Sequence, residues 1–122
     1  MELKTGMSHT VKMIVDETMT ASIYGDDLPK VLSTPDMIAA METASYQCLL
    51  PALPEGKITV GTHVNVSHDL AVPIGTEVTI TAVLREIDRR RLTFDVMAAS
   101  EKGQVGAGTH TRFIVDIDAF RK

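Results

Sequence analysis

The chain has 122 residues, 44% apolar and 23% charged, with a formal net charge of −4 at pH 7. Those values fit one globular domain over 1–122 and exclude the polar, highly charged profile of a disordered chain. The negative balance gives no field to hold nucleic acid, and no apolar run approaches the roughly 18 residues of a membrane helix.

Val11, Met13 and Val15 alternate with polar residues and predict a first strand. Tyr24-Gly25-Asp26-Asp27 and Pro29 are turn formers and predict a connecting loop. Thr34 is then read as a helix N-cap, Pro35 as the first helical residue and Asp36 as a favourable charge at the positive end of the dipole. Met37, Ile38, Met41, Ala44, Ser45, Cys48 and Leu49 recur at helical spacing until Pro51 and Pro54 end the run.

Beyond Glu55-Gly56 the period changes to two. Even positions Ile58, Val60, Val64, Val66 and Leu70 predict one strand, and Pro73-Ile74-Gly75 a turn. Val78, Ile80, Ala82 and Leu84 predict the next strand, followed by Leu92, Phe94, Val96 and Ala98. Between them, Asp88-Arg89-Arg90-Arg91 reads as a solvated hairpin turn, with a patch for the phosphates of an anionic cofactor as the alternative. After Lys102-Gly103, the residues Val105, Ala107, Phe113, Val115 and Ile117 set the expected inward phase of the last strand, and Arg112, on the opposite phase, reads as a solvated charge as readily as a ligand-binding one. The expectation is α+β: one long helix laid against an antiparallel sheet, with Ala39, Ala40 and Ala44 allowing close approach. One sheet around one helix leaves apolar surface, so at least a dimer is expected.

Some residues are not accounted for by packing. Glu42 borders the helix stripe, and no basic residue lies three or four positions away, which leaves either a solvated carboxylate or one suited to general-base or nucleophilic work. His68 falls on the apolar phase of its strand, while His63 falls on the other. An inward histidine is either a satisfied core residue or a catalyst. Thr34 is explained by capping alone. No metal site is expected, since the closest histidines, His63 and His68, occupy opposite phases. Cys48 is the single cysteine; it can close no internal disulfide and lies in the apolar stripe with nothing to lower its pKa. Gly106 and Gly108 are followed by no helix and so read as a bulge or a close backbone approach, not a nucleotide fingerprint. Residues 1–10 lack the basic-then-apolar order of a secretion signal, so a cytoplasmic location is expected.

Val31-Leu32-Ser33-Thr34, Glu42 eight residues on, Gly61-Thr62-His63-Val64-Asn65-Val66-Ser67-His68, Pro73-Ile74-Gly75 and Gly106-Ala107-Gly108-Thr109-His110-Thr111-Arg112 together resemble the fluoroacetyl-CoA-specific thioesterase-like family. The resemblance covers most of the chain and implies the hotdog fold, a central helix wrapped by its sheet. It also implies a catalytic set of Thr34, Glu42 and His68, with Gly61, Thr62 and Arg112 at the substrate. Leu28 stands where the fluoroacetyl-selective enzyme has an aromatic gate, so that selectivity is not implied. The expected activity is hydrolysis of a short-chain acyl-CoA, with CoA entering as part of the substrate and no separate cofactor. The rivals are a β-hydroxyacyl-thioester dehydratase or hydratase and a non-catalytic acyl-CoA binding module.

Overall fold

The computed structural model describes residues 2–120; Met1, Arg121 and Lys122, included in the single-domain reading, lie outside that range. Strand β1 (Ser8–Ile14) precedes the helix α1 (Thr34–Leu49), and β2 (Lys57–Val66), β3 (Glu77–Asp88), β4 (Arg91–Ser100) and β5 (Gly103–Asp116) follow it. The five strands form one antiparallel sheet in the order β1-β3-β4-β5-β2, so β1 and β2 are its edges. The sheet curls around α1 in the hotdog arrangement. Among the described residues, no helix is long and apolar enough to cross a membrane.

The core forms where helical and strand periodicities meet. Met37, Met41, Ala44, Cys48 and Leu49 pack against Val78, Ile80, Ala82 and Leu84 of β3 and Leu92, Phe94, Val96 and Ala98 of β4, all buried. These are the inward phases expected for the helix, β3 and β4. Of the three small residues, only Ala44 is buried against the sheet; Ala40 is half-buried and Ala39 exposed. Asp88–Arg91 forms a hairpin turn in which Arg89 takes a left-handed φ of 59° and Arg91 pairs with Glu86 and Asp88.

The helix begins one residue earlier in role than expected. Ser33, not Thr34, is the N-cap: its Oγ accepts the Asp36 N–H at 3.1 Å, and Thr34 and Pro35 fill the first two helical positions. The Thr34 hydroxyl is therefore free of capping. Strand β1 also begins earlier, at Ser8, and ends at Ile14 instead of Val15.

Strands β2 and β5 depart from the expected phase. In β2 a bulge interrupts the register between Gly61 and His63, where Thr62 is the extra residue. Before it, Thr59 and Gly61 face the helix side, opposite the even-numbered phase expected there. After it, Val64 pairs with His110 and Val66 with Gly108 on that same side, as expected. In β5 Val105 is buried in the core as expected, but beyond it the inward phase is Gly106, Gly108, His110, Arg112 and Ile114, and Phe113 and Val115 lie on the outer face beside Val60 and Ile58. Both faces of this edge carry apolar residues, so alternation alone does not say which face is covered.

Candidate active site

Two groups of polar side chains face the helix side of the sheet. The first forms at the helix start. Leu32 N–H donates to the Val72 carbonyl at 2.8 Å, and Val31 bridges Pro73, which brings the chain leaving β2 alongside Ser33 and Thr34. Ser67 and Asp69 N–H donate to the β5 carbonyls of Ala107 and Val105. His68, held between them just past the end of β2, shares a 2.7 Å hydrogen bond through Nδ1 with Thr34 Oγ1. Its Nε2 is buried and has no partner, the one such side-chain atom among the described residues. A buried imidazole nitrogen without a partner is costly, which sets His68 apart from the satisfied polar groups around it.

The second group lies two helical turns on. From Thr34 to Glu42 is eight residues, about 12 Å along the axis. Glu42 projects toward the β2–β5 edge, its side chain 42% exposed, with Oε2 3.7 Å from Arg112 Nη1 and 3.9 Å from His110 Nε2. A Cβ on Gly61 would lie 2.7 Å from that oxygen. Glycine here is a matter of space: it leaves room for the carboxylate.

Arg112 is 7% exposed, which excludes the solvated one of its two expected readings. Its Nε donates to Thr59 Oγ1 at 2.9 Å, its Nη2 to the Thr59 carbonyl at 3.0 Å, and its Nη1 meets His110 Nε2 at 3.2 Å. Burial lowers its pKa from the usual guanidinium value, while Glu42 and then Tyr46 act to raise it. It remains a cation at any physiological pH. His110 is 2% exposed and pairs its Nδ1 with the His63 carbonyl at 2.8 Å. Burial lowers the imidazole pKa and Arg112 lowers it further, against the opposing pull of the His63 hydrogen bond and Glu42.

The structure thus brings Glu42, Gly61 and Arg112 together and pairs Thr34 with His68, but within one chain the two groups do not form a single hydrogen-bonded triad. Thr62 sits exposed at the bulge, near the Thr111 carbonyl and hydrogen-bonded to the His63 ring. Leu28 is 47% exposed, in the loop before the helix. Among the described residues no three His, Cys, Asp or Glu side chains gather at metal-binding spacing. Two residues escaped the sequence reading, Thr59 and His110. The signal for His110 was present: glycines at 106 and 108 on the same phase as His110 and Arg112 mark the face of β5 that something approaches closely.

The sequence matches the family described as fluoroacetyl-CoA-specific thioesterase over residues 15–118. It is 36% identical over 94 residues to the fluoroacetyl-CoA thioesterase of Streptantibioticus cattleyicolor, covering 77% of this chain and 68% of that protein. A solved structure of the fluoroacetyl-CoA thioesterase FlK superposes with a TM-score of 0.91 at 31% identity, over 98% of this chain and 93% of that one. A thioesterase superfamily member from Thermus thermophilus gives 0.89 at 25% identity, over 97% and 88%. Fold and likeness together define a hotdog-fold thioester hydrolase. Within that class, the chain belongs to the fluoroacetyl-CoA-specific thioesterase family.

Proposed function

We propose that this protein hydrolyses a short-chain acyl-CoA to CoA and the free acid, with Glu42, Thr34 and His68 as its catalytic residues. The observation that carries the reading is the Glu42 carboxylate set between a glycine backbone and a buried cation, 3.7 Å from Arg112. The thioester carbonyl lies against Gly61, where no side chain blocks it, and Glu42 takes the proton of an attacking water. The C–S bond then breaks, and the departing CoA thiolate is protonated by His68, which Thr34 orients through Nδ1. Backbone N–H groups beside Gly61 and Thr62 at the bulge receive the developing oxyanion.

For His68 to reach a thioester held at Glu42, we propose that the active unit is a homodimer joined through the free edge of β2. Antiparallel pairing of two such edges about Val64, which is 42% exposed, sets the end of one β2 beside Gly61 of the other. His68 of one copy then serves Glu42 of its partner. The location is proposed to be cytoplasmic.

A related structure, an FlK variant in complex with fluoroacetate and CoA, supports an acyl-CoA substrate, and that protein is 31% identical to this chain. The test is a panel of acyl-CoA thioesters from acetyl to hexanoyl, followed by thiol release. Glu42→Gln is expected to remove nearly all turnover while preserving the folded circular-dichroism spectrum. Full activity in that variant would reject the mechanism, and enoyl absorbance without thiol release would point instead to hydration chemistry.

A further inference from the structure

His110 has no role in the chemistry just described, yet it is among the most enclosed polar side chains of the molecule. Its two ring nitrogens meet partners of opposite kind. The His63 carbonyl only accepts, so Nδ1 must carry the proton and donate to it across 2.8 Å. A guanidinium only donates, so Nε2 must be the lone pair that accepts Arg112 Nη1–H across 3.2 Å. Both requirements hold only for the neutral Nδ1–H tautomer. An imidazolium would set a second donor and a second positive charge against Arg112.

Among the groups around the ring, burial and Arg112 favour the neutral form, while the His63 hydrogen bond and Glu42 pull the other way. Glu42 approaches from α1, 3.9 Å from Nε2, and Arg112 from β5 itself, while from β4 the Phe94 ring centroid lies 6.4 Å away. From β2 comes the His63 carbonyl, the His63 ring being exposed. Burial, the largest influence on His110, acts to keep the ring neutral.

Nη1 is also the Arg112 nitrogen nearest Glu42, 3.7 Å from Oε2 and so beyond a direct hydrogen bond. Thr59 holds the other two nitrogens. We infer that His110 is a positioning residue: by accepting Nη1–H it holds the guanidinium back from Glu42, leaving the carboxylate a nearby positive charge but free lone pairs. Without that acceptor, Nη1 swings onto Oε2, and the carboxylate spends on Arg112 the lone pair needed by the attacking water. This inference rests on the hydrolase reading above.

Two substitutions separate positioning from simple packing. His110→Asn keeps a donor near the Nδ1 position but lacks the acceptor; His110→Gln places an acceptor near the Nε2 position but lacks the donor. With the best acyl-CoA of the panel, the expected result is a kcat for His110→Gln at least about tenfold above that of His110→Asn, with KM values within about threefold. Equal kcat values, or a better Asn variant, would overturn the inference.

Nitrogen-15 NMR of the wild-type histidines provides a test that needs neither variant to fold. A neutral Nδ1–H tautomer for His110 at pH 7 is expected, and an Nε2–H tautomer or an imidazolium would overturn it. Loss of the hydrolase reading would appear separately, as a wild-type protein inactive on every thioester with the tautomer unchanged.

Discussion

Placing one methyl group at Gly61 tests the site most directly. The Gly61 backbone lies outside the left-handed region, so alanine fits the local conformation and the effect comes from the Cβ alone. That atom would stand 2.7 Å from Glu42 Oε2, 3.1 Å from His110 Cε1 and 3.4 Å from Arg112 Nη1. The last two contacts are tight but tolerable, whereas the first is too short by about half an ångström or more. Arg112 and His110 are pinned by hydrogen bonds, and Glu42, half-exposed at the end of a flexible stem, is the group that gives way. Displacing a reacting group by about an ångström costs up to roughly a hundredfold in rate. Gly61→Ala is therefore expected to lower kcat about ten- to a hundredfold. Its unfolding free energy should stay within about 1 kcal/mol of wild type, because alanine also restricts the unfolded chain. Thiol release and urea denaturation read the two quantities separately. Combining Gly61→Ala with Glu42→Asp, which withdraws the carboxylate by one methylene, should recover part of the loss. A variant as active as wild type, or one whose lost activity follows lost stability, would refute the placement of Glu42 against Gly61.

Three further outcomes follow from other features. If His68 of one copy serves Glu42 of the other, mixing inactive Glu42→Gln with inactive His68→Ala protein and allowing exchange should restore up to about a quarter of wild-type activity, from one intact site in half of the dimers. No recovery in verified mixed dimers would place both residues in the same chain. Gly106→Ala should destabilise the fold by about 1–3 kcal/mol or more in urea denaturation, since its Cβ would strike the Ser67 carbonyl and lie 2.8 Å from Met37 Sδ. An unchanged midpoint would show that β5 is not pressed against that segment. Burial raises the Cys48 thiol pKa, so an aromatic disulfide reagent at pH 8 should leave the native protein unmodified and label it on unfolding. Rapid native labelling would contradict its buried position.

The sequence by itself was enough for the helix, the sheet and most of the core. Met37 through Leu49 keep helical spacing between an N-terminal signal and two prolines, and the apolar residues of β3 and β4 fall on alternate positions from Val78 to Leu84 and from Leu92 to Ala98, all of them buried. Local chemistry also made Glu42 conspicuous, since its own helix offers it no cation.

What the sequence could not decide lay where local rules compete. Ser33 and Thr34 can each cap a helix, and the packing of Leu32 against Val72 assigns the cap to Ser33, leaving the Thr34 hydroxyl for His68. A single extra residue at Thr62 reverses the facing of β2, so Ile58 and Val60 fall outside while Val64 and Val66 fall inside. On β5 both phases carry apolar residues, and only the curl of the sheet toward the helix reveals that the glycine, histidine and arginine phase is the inner one. That is why Arg112 read as a solvated charge as readily as a ligand-binding one and His110 drew no attention. Their roles depend on a carboxylate contributed by another element, and such a contact is set by how the sheet wraps the helix instead of by any spacing along the chain.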